Sequence, residues 1–256
     1  MTTTPVSEAH RVLAYDVGCD VDDLSLHRID DAYVERYAAL SRAAHRRGAL
    51  REAERELLWI AVFASAHLHD AAAVQMHTRR ALAAGVTSAQ ILSLRVETLG
   101  THTMSFAVPI LLEELAAAGH ATPAAGTALT AAQEAVKQQL IELRGWWNEG
   151  WLPLLHTDPH FLLATHRLLA TENDPLDPRL RELIYMALDV STAHLYPPGA
   201  RAHMRNALRL GATEEHILEV LELVALVGYR SLLLLTGGLD AAQGHPAERL
   251  CAGGIS

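Results

Sequence analysis

Glu56, His67 and His77 fall within one short stretch of the sequence, and Glu182, His194 and His203 fall within another. Carboxylates and imidazoles brought together tune one another for proton transfer, because the unperturbed imidazole pKa of about 6.5 lies close to neutral pH. Glu56 and His67 are eleven residues apart, which at about 100° per residue returns to within about 20° of one helix face, so one helix can present both to one pocket. Glu182 and His194 are twelve apart, about 120° round an ideal helix, so either that helix ends early or the two sites differ. His77 and His203, on the neighbouring helix, could complete a Glu–His–His cluster in each stretch. A second reading of the same residues stays open: the glutamates pin two helices through a buried hydrogen bond or ion pair, and the histidines satisfy backbone carbonyls.

Further candidates surround these clusters. Arg79 and Arg205 follow the last histidines by two residues, about 200° round the helix, and therefore point to solvent or to an interface. Arg201 and Arg230 are better placed to bind an anionic substrate, and the Tyr196-Pro197-Pro198-Gly199 segment could gate a ligand. His67, His69, Asp70 and His77 form the densest set of possible metal ligands, with His156, His160 and His166 as a second. Neither set has a strict ligand spacing such as HExxH, and no metal is assigned.

The elements that position these residues are written twice. Arg55-Glu56-Leu57-Leu58 reappears as Arg181-Glu182-Leu183-Ile184, an offset of 126, and the same offset carries His77-Thr-Arg79-Arg-Ala81-Leu82-Ala-Ala-Gly85-Val-Thr87 onto His203-Met-Arg205-Asn-Ala207-Leu208-Arg-Leu-Gly211-Ala-Thr213. Between them, Ser65-Ala66-His67-Leu68-His69 aligns with Thr192-Ala193-His194-Leu195-Tyr196 at an offset of 127, as if one residue were dropped. Apolar spacing predicts helices near 31–47, 52–68, 73–84, 88–99 and 102–118, then near 158–170, 177–194, 199–210, 214–226 and 229–241. Gly85 and Gly211 sit at helix C-termini, and Thr87 and Thr213 cap the next helices. These bounds give an N-terminal extension over 1–30, repeats over 31–118 and 158–241, a linker over 119–157 and a tail over 242–256. The linker holds a helical run, Ala131 to Leu143, and the tryptophans Trp146, Trp147 and Trp151, which should pack it onto a core. The expected fold is all-α, two tandem helical repeats forming a pseudo-symmetric body, since each unit alone would leave an apolar face exposed.

The Glu-Leu-Leu/Ile block, the small-residue helix and the His-x-Arg-x-Ala-Leu-x-x-Gly-x-Thr-x-x-x-Ile-Leu block together resemble the carboxymuconolactone decarboxylase family of the alkylhydroperoxidase D-like superfamily, at 55–92 and again at 181–218. Leu99-Gly100-Thr-His102 through Glu114 looks like the helix that closes the family's unit. The peroxidase branch carries a CxxC pair ahead of its histidine. Here Asp70 and Ala73 precede His77, and Tyr196 and Gly199 precede His203, at those positions, so the thiolate chemistry of that branch is excluded. The resemblance instead implies a cofactor-free carboxy-lyase or isomerase acting on a small carboxylated lactone or oxidised aromatic intermediate. Loss of carbon dioxide needs a cation near the carboxylate and a general acid near the carbon. The implied catalytic residues are His77, His67, Glu56, His102, His203, Glu182 and His194, with Arg201, Arg230 and Tyr196 binding substrate. The first repeat alone has His102 and Glu97, where the second has Gly228 and Leu223, which favours the first as the working copy. A non-catalytic oligomer that binds a small acid or a partner, and a metal-dependent lyase or hydrolase, are the alternatives. The resemblance also implies a homo-oligomer, a trimer of two-repeat chains.

Composition narrows the classes further. A net charge of −9 with no basic stripe argues against nucleic acid. Two cysteines near opposite ends, Cys19 and Cys251, suit a reducing compartment. The opening segment has no apolar signal-peptide region and no window is long enough to span a bilayer, so a cytoplasmic location is expected.

Overall fold

The computed structural model describes residues 6–19, 26, 28–96, 102–124, 126–170 and 173–243. Among them there is no strand. The helices are α1 (Glu8–Val17), α2 (Asp31–His45), α3 (Glu52–Ala64), α4 (Ala71–Ala83), α5 (Ser88–Leu92), α6 (His102–Ala117), α7 (Ala131–Arg144), α8 (Leu152–Thr157), α9 (Pro159–Leu169), α10 (Pro178–Val190), α11 (Pro197–Arg209), α12 (Glu214–Leu226) and α13 (Ser231–Ala242). Their starts follow capping chemistry: Asp70 accepts from the Ala73 amide, Thr87 pairs with Gln90 in a capping box, and Asp177 accepts from the Arg179 and Leu180 amides ahead of Pro178. Gly85 and Gly211, at φ 86° and 92°, end α4 and α11 in the left-handed region. Glu97, Cys251 and almost all of the expected tail lie outside the described residues.

The described chain divides into two compact units that cut across the repeat bounds. The first comprises Met1–Leu94 and Pro175–Ser256, with α1–α5 and α10–α13, and so contains the inner helices of both repeats. The second, Arg95–Asp174, contains α6–α9.

In the first unit the repeats pack directly, α3 on α10 and α2 on α12. Trp59, Phe63, Leu57, Leu58, Leu183, Ile184 and Met186 are wholly buried there, each stabilising the fold by about 1.5–3 kcal/mol. Charged side chains fix the register across the repeats. Buried Glu219 accepts from the Ala49 and Leu50 amides (2.7 and 3.1 Å) and from Arg55 Nε (2.7 Å), Arg179 donates to buried Glu54 (2.7 Å), and Arg47 makes a two-pronged pair with Glu222. The N-terminal extension belongs to this core: α1 buries Leu13, Ala14 and Asp16, and Asp16 accepts from Tyr37 Oη (2.9 Å) and pairs with His45 Nε2 (3.0 Å).

The second unit has its own core of Val108, Val136, Leu140, Leu154, Leu155, Leu162 and Leu163, with Trp147 and Trp151 packed against it. The tryptophans do tie the linker to a core, as their clustering predicts: Trp151 contacts Trp146 at 4.9 Å, Trp147 at 5.6 Å and His166 at 4.3 Å between ring centroids.

Candidate functional site

In the first repeat α3 and α4 bring Glu56 and His77 together in a sealed cluster. His77 Nδ1 donates to Glu56 Oε2 at 2.8 Å and Tyr15 Oη, from α1, donates to Oε1 at 2.6 Å. Both Glu56 and His77 have no exposed surface. The imidazole stacks on Phe63 (5.4 Å, 13°) and Trp59 (5.6 Å, 23°), and its Nε2 is buried without a hydrogen-bond partner. Gly18, held at φ 66°, closes over that nitrogen, where a Cβ would come within 3.0 Å. Arg80 secures the lid, donating to the Tyr15 carbonyl at 2.8 Å and lying 4.4 Å from its ring centroid. Burial holds the His77 pKa below its ordinary value despite Glu56, and burial with the Glu56 carboxylate pushes the Tyr15 phenol upward.

The second repeat keeps the pair but not the seal. His203 Nδ1, on α11, donates to Glu182 Oε2 on α10 at 2.7 Å, and Asn206 Nδ2 donates to the same oxygen at 3.2 Å. The side chains of His203 and Glu182 are 13% and 9% exposed, so solvent reaches the pair. Holding Nδ1 in this way fixes the orientation of the ring. Nε2 lies 3.8 Å from Asp189 Oδ2, and His194 Nε2 lies 3.5 Å from Asp189 Oδ1. Asp189 is almost wholly buried beneath the first turn of α11, and a Cβ on Gly199 would fall 2.2 Å from its Oδ2, so only glycine admits the carboxylate. Burial pushes the Asp189 carboxyl up to about 7, against the opposing pull of His203. Burial, with His67 adding to it, lowers the His194 pKa.

Several expectations need correction. The third helix of each repeat begins at Ala71 and Pro197, two residues before the bounds near 73 and 199 that spacing predicts, so His77 and His203 are seventh residues, in mid-helix. Helix α3 ends at Ala64, so Glu56 and His67 do not share a helical face. In both repeats a turn follows in which Ser65 or Ser191 accepts two amides, and the Asp70 and Tyr196 amides donate to Phe63 and Asp189. Left-handed residues His69 and Leu195 match at an offset of 126, so no residue is dropped and His67 corresponds to Ala193. His67 is therefore exposed, stacking on His194 at 5.0 Å. Arg230 is not free for an anion: its Nε and Nη2 grip Asp70, the latter at 2.8 Å, and its Nη1 donates to the Val17 and Gly18 carbonyls. Arg201 is exposed, Tyr196 is half-buried against His194 at 5.6 Å, and His102 opens α6 in the second unit. Asp70 and His77, within the densest possible ligand set, are thus engaged separately by Arg230 and Glu56. In the second unit His166 is buried and its pKa falls to about 3 through burial and Arg144.

Tyr15, Asp189 and Asn206 are site residues that spacing did not single out. Asp189 left a signal, an acid where the equivalent helix position is Phe63, directly after the apolar run Leu183–Leu188. Tyr15 left none, because its helix precedes the repeated segment.

The sequence matches the Carboxymuconolactone decarboxylase family over residues 31–113 and 159–235, more than half of the chain. Among curated proteins none matches significantly. The fold is similar to the crystal structure of a proposed gamma-carboxymuconolactone decarboxylase subunit from Burkholderia xenovorans LB400, with a TM-score of 0.84 and 32% identity, covering 93% of this chain and 98% of that one. With two ordered family matches and a full-length structural counterpart, the chain belongs to the carboxymuconolactone decarboxylase family.

Proposed function

We propose that this chain is a carboxy-lyase, or an isomerase using the same proton chemistry, that acts on a small carboxylated lactone or oxidised aromatic intermediate through its second repeat. The carrying observation is the solvent-reachable Glu182–His203 pair beside a buried carboxylate that titrates near neutral pH. Glu182 fixes the imidazole through Nδ1, His203 Nε2 protonates the carbanion left by carbon dioxide, and Asp189 resupplies the proton. Protonated His203 supplies positive charge for the substrate carboxylate and neutral His194 can donate a hydrogen bond to it, a role that Arg230 cannot fill while bound to Asp70. Family membership supports a decarboxylase-like activity of this kind. The burial of Glu56 and His77 supports choosing the second repeat over the first, the copy that the sequence favours. The neighbour's description as a subunit supports assembly into a homo-oligomer, proposed as a trimer of chains. No described helix is long and apolar enough to cross a membrane.

The test is carbon dioxide release from a panel of carboxylated lactones and muconate-type acids, with His203→Gln and His77→Gln compared on any substrate that turns over. General acid–base residues contribute about 10²–10⁴-fold, so His203→Gln should lower kcat at least about 100-fold while His77→Gln changes it little. Equal turnover by His203→Gln and the parent protein would remove the second repeat from the chemistry.

A further inference from the structure

A cavity of about 640 Å³ opens within the first unit, and no member of either glutamate–histidine pair lines it. Its walls come from the α3–α4 turn, the α10–α11 turn and the segment from α12 into α13, and they include none of Glu182, Asp189, His194 and His203. Most of the surface is apolar, supplied by side chains such as Leu68, Val227 and Leu234, with buried Phe63 behind them. The charged groups on the wall are balanced, because Arg230 holds Asp70 through two nitrogens while its third binds the carbonyls at the end of α1. Burial favours the neutral acid, but the Arg230 hydrogen bonds outweigh it and keep Asp70 ionised, so a ligand meets a neutral ion pair rather than a cation. The same clamp ties three elements together at the rim, which makes the cavity preformed. Ser191 and Ser231 also line it, and a serine hydroxyl can donate or accept a hydrogen bond. At Gly228 the space is open, with no atom within 4 Å of where a Cβ would lie.

We propose that this cavity is a second small-molecule site, for an uncharged, largely apolar compound of substituted-aromatic size bearing a hydroxyl or carbonyl oxygen. Cavities of about 300–1,000 Å³ with apolar walls and a few convergent polar groups are the usual form of such sites. A carboxylated substrate is a poor fit, since among the described lining residues the one guanidinium, Arg230, is already paired with Asp70 and the other basic side chain, His69, is exposed to solvent, so the site is separate from the proposed catalytic one.

The experiment uses the full chain in its native assembly and titrates it with N-phenyl-1-naphthylamine, followed by fluorescence. Saturable binding of one probe per chain is expected, tighter than that of its sulfonated analogue 1-anilinonaphthalene-8-sulfonate. Gly228→Leu and Ala72→Leu each project carbon into the cavity, and each should weaken the neutral probe by at least about ten-fold with circular dichroism unchanged. His203→Gln should leave binding intact, which separates this site from the decarboxylase reading. Three results would each overturn the proposal: no saturable binding, because a second copy covers the cavity; binding untouched by both filling variants, because the probe sits elsewhere; or tighter binding of the sulfonate, because the charge balance is wrong.

Discussion

The two repeats place the same glutamate and histidine at the same distance, 2.8 Å in one and 2.7 Å in the other, yet surround them oppositely. In the first, Phe63, Trp59 and Tyr15 fill the space around His77, and Gly18 closes over its outer nitrogen. In the second, Asp189 stands where Phe63 stood, Gly199 stands where Ala73 stood, and His194 approaches from the turn. A conserved geometry therefore does not make a site: the neighbours decide whether a carboxylate–imidazole pair is a structural pin or a proton-transfer device. The burial of the first pair supports the structural reading proposed for it, and the solvent access of the second supports the chemical one.

The largest effect should follow from imposing the second environment on the first. Phe63→Asp places a carboxylate against His77 and Trp59 in a position with no exposed surface, without the space that Gly199 gives Asp189. Urea denaturation should show a loss above about 4 kcal/mol, or no folded protein. Full stability would mean that the first repeat tolerates an open site after all. Glu56→Ala comes next, stranding the Tyr15 hydroxyl and His77 in the core at about 3–5 kcal/mol, whereas Glu182→Ala, beside solvent, should cost about 1–3 kcal/mol. Equal costs would break the contrast between pin and device.

A pH profile sharpens the comparison further. The folded pKa of Asp189, raised to about 7, means that between about pH 4 and 7 the native state holds a proton that the unfolded chain has released. Its contribution to stability is thus greatest at low pH and is lost as pH rises through that window, and Asp189→Asn should gain on the parent protein between pH 5 and 8. The buried histidines act with the opposite sign. His77, His166 and His194 have lowered pKa values, so the unfolded chain takes up their protons first and stability falls as pH drops below about 6.5. Comparing thermal midpoints of parent and Asp189→Asn from pH 4 to 8 isolates the aspartate, and parallel curves would show that it stays ionised. The smallest effects belong to exposed Arg79 and Arg205, whose replacement by alanine should move stability by less than about 0.5 kcal/mol.

How much of this was legible beforehand varies with the range of the interaction. The 126-residue repeat, the caps at Thr87 and Thr213, and the glycines after α4 and α11 are local patterns, and they set the helix order within a few residues. The turn after α3 is not legible because Ala66–His69 continues a helix-compatible composition, while the break is made by backbone bonds to Ser65 and Phe63 that composition does not record. Tyr15, in the segment before the repeats, reaches Glu56 across 41 positions, and such a contact leaves no spacing signal.

By itself, the sequence determined an all-helical chain, a duplicated unit, its family and the two glutamate–histidine pairs, because capping, periodicity and repetition act over a few residues or a fixed offset. Tertiary structure alone decided which pair is sealed and which is reachable. That decision rests on α1 closing over one repeat and on Gly199 leaving room for Asp189 in the other, and both depend on side chains meeting from distant parts of the chain, where desolvation sets what a carboxylate or an imidazole can do.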